Sequence, residues 1–241
     1  MGFIDCDAHI WETEETWEYL RADESKFRPL SVEVMNDGPV ARQFWLAEDQ
    51  RALRLDGLSP FHTERERELF PPGTKNLRDV AARVEAMDAL GVDVQVLFPT
   101  FWLSVNLENP AAEAALSRSY NRWVAEATRT VRDRLRWVVK PPFRTMSAAL
   151  EELEFGHEHG AVGAFVHGVE ARMPLTHPYF SPFYERAQEL GLVIAVHVGT
   201  NDTVHNTRYG GAHIAWHAVS PVVQAFFSIL DSDLASRYPD L

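Results

Sequence analysis

Two side chains that can bind a metal ion stand two positions apart near the start of the chain, in Asp7-Ala8-His9. In a β-strand, residues i and i+2 project from the same face, so this spacing directs a carboxylate and an imidazole toward one point. At the carboxyl end of the first strand of a barrel, that point lies at the mouth where barrel enzymes bind their substrates. A polar strand end that simply faces water is an equally compatible reading of these residues alone.

His197 makes the metal hypothesis the better of the two. It follows residues 193–196 (VIAV), a sequence typical of a wholly buried strand. A buried imidazole without a hydrogen-bonding partner costs about 1–3 kcal/mol. A metal ion would supply the partner, as would a neighbouring side chain or a backbone carbonyl. Strands one and five face each other across an eight-stranded barrel, so their ends can share one ion.

Together, Asp7, His9 and His197 predict a site for one divalent cation, with His197 also in a catalytic role. Mixed carboxylate and imidazole ligation favours Zn²⁺, with Mn²⁺ or Fe²⁺ as alternatives, and argues against Ca²⁺. A catalytic ion keeps one position open for water or substrate. It would lower the pKa of bound water to about 7, or polarise a carboxylate or hydroxyl group of the substrate.

Several other residues near predicted strand ends are further candidates. His167 follows the fourth strand and would either assist catalysis or lie in a loop. Lys140 would contact the substrate or pair with a surface carboxylate. The substrate-binding candidates are Trp11, Trp102, Lys140, His205 and Arg208. For the tryptophans the alternative is an ordinary core position, and for His205 and Arg208 it is a solvated loop, although arginine suits a carboxylate.

The elements that must position these residues alternate between strands and helices. Apolar runs predict strands over residues 2–7, 93–98, 136–139, 162–166 and 192–198. The helices between them are predicted to begin at Asn76, Asn109-Pro110, Ser147, Ser181-Pro182 and Ser220-Pro221, with His217 just before the last. Gly91 and Gly191 are predicted to end the first and fourth helices. Apolar strands covered by amphipathic helices indicate a parallel sheet with both faces buried.

Residues 10–75 interrupt this alternation. The stretch is too long for a plain connector and suggests a lid-like or specificity insertion, with a hairpin turning at residues 48–50. A closed (β/α)8 barrel has eight units in about 250 residues, and five are recognised here. We expect an α/β fold, a TIM-type (β/α)8 barrel, in which residues 1–241 form one C-terminally incomplete domain. An open five-stranded α/β sheet is the alternative.

Four segments resemble the amidohydrolase-related family, and within it the branch around aminocarboxymuconate semialdehyde decarboxylase and the aromatic-acid decarboxylases. They are residues 4–12 (IDCDAHIWE), 160–165 (GAVGAF), 177–197 and 227–241. The resemblance covers nearly the whole chain outside the insertion. It implies a barrel of the metal-dependent hydrolase type in which Asp7, His9 and His197 are metal ligands. It also implies that a sixth-strand His or Glu and an eighth-strand Asp lie beyond Leu241.

The resemblance implies a metal-dependent carboxy-lyase that acts on a small cyclic or aromatic carboxylic acid. The first alternative is a hydrolase of a lactone, amide or ester, in which the same ion activates water. The second is a non-catalytic remnant that serves as a binding or assembly subunit, a reading motivated by the missing strands.

Composition excludes several other classes of protein. A net charge of −12 opposes binding to nucleic acid, and 46% hydrophobic residues suffice for a large core. The single cysteine, Cys6, cannot form an internal disulfide, and no run of 18 apolar residues predicts a membrane span. We therefore expect a cytoplasmic protein without a membrane partner. Exposed sheet edges would favour self-association, so a homodimer is also predicted.

Overall fold

The computed structural model describes residues 2–34, 42–53, 68, 70–199 and 212–241. Its strands are β1 (Ile4–Ile10), β2 (Leu30–Val34), β3 (Arg42–Ala47), β4 (Gln50–Leu53), β5 (Val94–Pro99), β6 (Leu135–Val139), β7 (Ala161–His167), β8 (Val169–Glu170), β9 (Met173–Pro174) and β10 (Val193–His197). Its helices are α1 (Val80–Leu90), α2 (Pro110–Thr128), α3 (Met146–Glu158), α4 (Ser181–Leu190), α5 (Ala212–Asp231) and α6 (Leu234–Arg237). Short 3₁₀ helices cover Glu14–Trp17, Ala22–Phe27, Phe101–Leu103 and Pro178–Phe180.

The main sheet is parallel and has the strand order β1-β5-β6-β7-β10. The sheet is strongly curled, because Asp7 Oδ1 on β1 lies 3.1 Å from His197 Nε2 on β10 although three strands separate them. The fold is therefore a curled half-barrel of five strands, which confirms the prediction of a TIM-type fold with five units in this chain. An open flat sheet is excluded.

The outer face of the sheet packs against the helices in two groups of buried apolar side chains. Under α1 and α2 this core includes Met87, Leu97, Tyr120 and Trp123. Under α3 and α4 a second group of buried side chains includes Phe183. Burying a side chain of this size stabilises the fold by about 1.5–3 kcal/mol. These helices hold the strands in the curled arrangement that shapes the mouth.

The sequence predicted the glycine at which α1 ends, but not the polar residue at which it starts. Gly91 ends α1 in the left-handed conformation (φ 71°), as predicted. The predicted start at Asn76 is wrong, because the N-cap of α1 is Asp79, whose side chain accepts a hydrogen bond from Ala82 N. Asn76 accepts instead from Arg78 N in the preceding turn. Both residues are good N-caps, so residue type alone could not decide between them.

The predicted start of the last helix at Ser220-Pro221 is also wrong. Helix α5 begins at Ala212 and contains Pro221 in its interior, so His217 lies within the helix and not before it. An interior proline removes one backbone donor at a cost of about 3 kcal/mol. The same segment packs closely against the end of β7, since the carbonyl of Pro221 lies so near Gly168 that a Cβ there would meet it at 2.3 Å.

Strand β10 is less buried than its sequence predicts. Val193 is 56% exposed, and Ile194 to His197 are half-buried. The reason is positional, because β10 pairs only with β7 among the described residues. An apolar sequence predicts a strand, but its burial depends on having neighbours on both sides.

The segment predicted to be an insertion forms a small antiparallel sheet, β2-β3-β4. The hairpin is confirmed, with Ala47 opposite Gln50 and Glu48 at φ 53° in the turn. Trp45 packs edge-on against Trp17, with ring centroids 5.9 Å apart. Its function as a lid stays a prediction. None of the helices in the described part of the chain is long and apolar enough to cross a membrane.

A buried carboxylate ties the end of β1 to the turn after β5. Glu12 is 3% exposed and accepts hydrogen bonds from Thr100 N at 3.0 Å and Phe101 N at 2.9 Å. Burial raises the pKa of Glu12 to about 8, which outweighs the opposite effect of the two backbone donors. The contact fixes one side of the mouth.

Replacement of Glu12 by glutamine is expected to change how stability depends on pH. The pKa of Glu12 is higher in the folded protein than its ordinary 4.5. Its contribution to stability is therefore fully present below pH 4.5 and is lost as the pH rises through about 8. The wild-type protein should lose stability relative to Glu12→Gln over this range, with a slope of up to about 1.4 kcal/mol per pH unit. Urea unfolding of both proteins at several pH values measures the difference, and parallel curves would contradict the assignment.

A close helix–strand contact gives a second expectation about the fold. A Cβ at Gly156 in α3 would lie 2.1 Å from Val139 Cγ2. Alanine normally stabilises a helix by about 1 kcal/mol over glycine, but overpacking costs about 1–3 kcal/mol. We expect Gly156→Ala to destabilise the protein by about 1–2 kcal/mol in thermal unfolding. The double variant with Val139→Ala should cost less than the sum of the two single changes, because the removed methyl groups make room.

Candidate metal centre

The structure brings Asp7, His9 and His197 together at the carboxyl ends of β1 and β10. Asp7 Oδ1 lies 3.1 Å from His197 Nε2 and 3.6 Å from His9 Nε2. One ligand atom from each residue lies within 4.8 Å of the other two. The two imidazole rings meet edge to face, with centroids 5.1 Å apart. Three potential ligands from the two outermost strands of the sheet therefore surround one point.

Hydrogen bonding orients the ring of His197 toward that point. Its Nδ1 lies 2.7 Å from the carbonyl oxygen of Val198, which can only accept a hydrogen bond. In the neutral ring Nδ1 therefore carries the proton, and the lone pair of Nε2 faces Asp7. A histidine that binds a metal is usually oriented by a hydrogen bond of this kind from its other nitrogen.

The electrostatics of His9 also fit a metal ligand. Burial lowers the pKa of His9, and the nearby His197 lowers it further, against the opposing effect of Asp7. A neutral imidazole is the form that binds metal. Asp7, whose side chain is 73% exposed, remains accessible to solvent. Two imidazole nitrogens and one carboxylate oxygen are a donor set suited to a divalent transition metal, with a further coordination position for water or substrate.

Two phenylalanines that the sequence analysis did not single out form an apolar base beside these residues. The rings of Phe98 and Phe165 lie 5.3 and 5.7 Å from that of His197, and Phe98 lies 6.2 Å from His9. Both phenylalanines are buried. Phe98 is the residue of β5 in register with His9. That pairing is the signal that would have identified it, and the register between strands is not visible in the sequence.

The catalytic candidate His167 is fully buried and held on both sides. Its Nδ1 lies 3.1 Å from Glu170 Oε1, and its Nε2 lies 3.0 Å from the carbonyl oxygen of Trp102. Its backbone N–H also donates to Glu170 Oε1, at 2.8 Å. The residue is neither loop nor open pocket, and a role in catalysis stays a prediction.

Lys140 belongs to the same buried network. Its Nζ lies 3.4 Å from Glu170 Oε1, and the two side chains are 2% and 3% exposed. The expectation that Lys140 would pair with a surface carboxylate is therefore wrong, because its partner is buried. Burial alone would raise the pKa of Glu170, but Lys140 and His167 lower it to about 2. Burial raises the pKa of the nearby Glu113 to about 7, partly offset by Lys140.

The remaining substrate-binding candidates are buried or lie outside the described residues. Trp11 and Trp102 are 7% and 1% exposed. The ammonium group of Lys75 lies over the ring of Trp11, 5.3 Å from its centroid, and Trp102 packs in the core against Phe101. His205 and Arg208 lie outside the described residues, and for His217 only the backbone is described. Substrate binding by these residues stays a prediction.

Known structures share this fold. The chain resembles an amidohydrolase from Mycobacterium avium subsp. paratuberculosis K-10 with a TM-score of 0.68 and 18% identity, over 100% of this chain and 71% of that one. It resembles the 5-carboxyvanillate decarboxylase of Sphingomonas paucimobilis with a TM-score of 0.65 and 17% identity, over 100% and 65% of the two chains. A dihydroxybenzoic acid decarboxylase from Polaromonas sp. JS666, with bound manganese and the inhibitor 2-nitroresorcinol, gives a TM-score of 0.62 and 20% identity over 100% and 63%.

These TM-scores show a common fold, and this chain spans less than two thirds of the length of the two decarboxylases. Among curated proteins, none matches the sequence. The family model described as amidohydrolase matches residues 4–241, a range that includes Asp7, His9 and His197. The chain therefore belongs to the amidohydrolase family.

Proposed function

We propose that this protein is a metal-dependent carboxy-lyase that removes the carboxylate group from a small aromatic or cyclic carboxylic acid. The observation that carries the proposal is the convergence of Asp7, His9 and His197 at the mouth of an amidohydrolase half-barrel. Similar structures that are decarboxylases of substituted benzoic acids support this choice of reaction. The amidohydrolase family is also compatible with hydrolysis, so that reaction is tested as well.

Asp7, His9 and His197 would hold the cation, and Zn²⁺, Mn²⁺ and Fe²⁺ all accept these ligands. Zn²⁺ is our first choice because of the two imidazoles, and Mn²⁺ is supported by its presence in the Polaromonas decarboxylase. When bound, the cation supplies a Lewis acid for a substrate carboxylate and a neighbouring hydroxyl oxygen.

The surroundings of the site suit an aromatic acid. Phe98 and Phe165 make the base of the site beside His197 apolar, and Phe98 is 6% exposed. An aromatic contact between a substrate ring and such a side chain is worth about 0.5–1.5 kcal/mol. In the reaction, the bond between the ring carbon and the carboxylate carbon breaks, and CO₂ leaves. The electron pair stays on the ring carbon, which then takes up one proton from water or from an acid group of the protein. An apolar surface beside the substrate favours neutral CO₂ over the charged carboxylate.

Loss of a ligand should weaken metal binding. We expect the wild-type protein to bind about one equivalent of Zn²⁺ or Mn²⁺ in isothermal titration calorimetry. His197→Ala should bind at least tenfold more weakly, because loss of a ligand costs no less than loss of an outer-shell contact. His157→Ala, at an exposed position in α3, is the matched control and should leave the affinity unchanged. Equal affinities for the His197 and His157 variants would contradict the assignment.

Activity distinguishes the competing reactions. The metal-loaded protein is incubated with a panel of hydroxybenzoates and, separately, with simple lactones and esters. We expect CO₂ release from at least one hydroxybenzoate, and loss of that release in Asp7→Asn. Ester or lactone turnover without CO₂ would identify a hydrolase. Tight metal binding without any turnover would support a binding or assembly subunit.

A further inference from the structure

The strand that carries Asp7 and His9 is irregular. Asp5 pairs with Gln95 on β5, but the next pair in the ladder is Ala8 with Leu97. Strand β1 therefore advances three residues where β5 advances two, so β1 contains one extra residue. Such a β-bulge bends the strand and redirects its side chains, and bulges are common beside active sites.

The bulge determines which side chains face the metal centre. In a regular strand, Asp5, Asp7 and His9 would all project from one face. With one extra residue between Asp5 and Ala8, Asp5 instead faces the helix layer, in register with the buried Gln95. Asp7 and His9 face the interior of the half-barrel.

A chain of hydrogen bonds holds the bulge from the helix side. Asp5 Oδ1 accepts from Asp7 N at 3.1 Å, and Asp5 Oδ2 accepts from Gln95 Nε2 at 3.0 Å. Gln95 Oε1 in turn accepts from Arg83 Nε at 2.9 Å. Arg83, on α1, is 3% exposed. Its Nη2 also contacts β1 directly, 3.5 Å from the carbonyl oxygen of His9.

We propose that Asp5, Gln95 and Arg83 are positioning residues of the metal centre, which fix the bulge that directs Asp7 and His9 toward His197. The proposal rests on the proposed metal-binding function. None of the three belongs to the proposed ligand set. Asp5 contacts the backbone of Asp7 and Arg83 that of His9, while Gln95 connects Asp5 to Arg83. We name this set the Asp5 relay.

The residue types suit this arrangement. A guanidinium can only donate hydrogen bonds and a carboxylate can only accept them, whereas an amide side chain does both. Gln95 can therefore connect Arg83 to Asp5 in one orientation only. The neighbouring outward positions on the two strands, Ala8 and Leu97, are apolar core residues. Burying a polar group costs free energy unless the group is hydrogen-bonded. Apolar residues in place of Asp5, Gln95 and Arg83 would avoid that cost, so we attribute these polar residues to the bulge that they hold.

Three variants test the relay through metal binding, with Co²⁺ as the probe because its visible absorption reports ligand geometry. We expect Asp5→Ala and Gln95→Leu to weaken Co²⁺ binding by about 10–100-fold, as for other outer-shell changes, and to alter the absorption spectrum. Asp5→Asn should lose less affinity than Asp5→Ala, because its Oδ1 can still accept from Asp7 N but its amide cannot accept from Gln95.

Asp93→Ala is the matched control for general loosening of the strand. Asp93 Oδ2 accepts a hydrogen bond from Phe3 N at 2.6 Å, just before the opposite end of β1. This variant removes a carboxylate–backbone contact of the same kind without touching the bulge. It should lower the unfolding temperature about as much as Asp5→Ala does, yet bind Co²⁺ with wild-type affinity and spectrum.

A measurement without metal separates the relay from the metal centre. In the cation-free protein, the Asp7 amide should exchange hydrogen faster in Asp5→Ala than in the wild type or Asp93→Ala. Wild-type Co²⁺ affinity, spectrum and Asp7 exchange in both Asp5→Ala and Gln95→Leu would overturn the proposal while leaving the metal centre intact. If the wild-type protein binds no Co²⁺, the proposed function fails, and with it the positioning role. The failure of the proposed function is thus distinguishable from the failure of the relay, because it is seen in the wild-type protein alone.

Discussion

A carboxylate on the first strand and an imidazole on the last strand of the sheet approach to 3.1 Å, and this contact depends on the curl of the sheet. A flat parallel sheet spaces neighbouring strands by about 4.8 Å, so its two outermost strands could not meet. Close packing supports the curl. At Gly163 on β7, a Cβ would lie 2.6 Å from the carbonyl oxygen of Val193 on β10, which leaves no space for a side chain. The metal-binding geometry is thus a property of the whole half-barrel.

Around this contact the protein buries several polar and ionisable groups, each hydrogen-bonded to a partner. Glu12 binds two backbone donors after β5, Glu170 binds Lys140 and His167, and Arg83 reaches β1 through Gln95. Buried polar networks are costly when one member is unpaired and rigid when all are satisfied. Because these networks lie close to the candidate site, we expect them to make the backbone around it rigid. Stability alone would be served as well by apolar packing.

The sequence predicted the alternation of strands and helices well, because each depends on local periodicity and on glycine at helix ends. Gly91 is an example, since only a residue that tolerates positive φ suits that position. The predictions were wrong where contacts between distant segments determine a helix start or the burial of a strand. Pro221 reads as a helix start, but packing of its carbonyl against Gly168 accompanies a helix that begins at Ala212. Val193 reads as core, but lies on an outer strand.

The sequence by itself determined which residues can bind a metal, because ligand chemistry and the i, i+2 spacing of Asp7 and His9 are local properties. Only the tertiary structure decided which other residues surround and orient these side chains. Asp5 shares the same spacing with Asp7, yet a bulge turns it toward Gln95, 90 residues away in the chain. Likewise, only the structure shows that His167 and Lys140 are buried and paired with Glu170. Strand register and burial arise from contacts between distant segments, which no local pattern encodes.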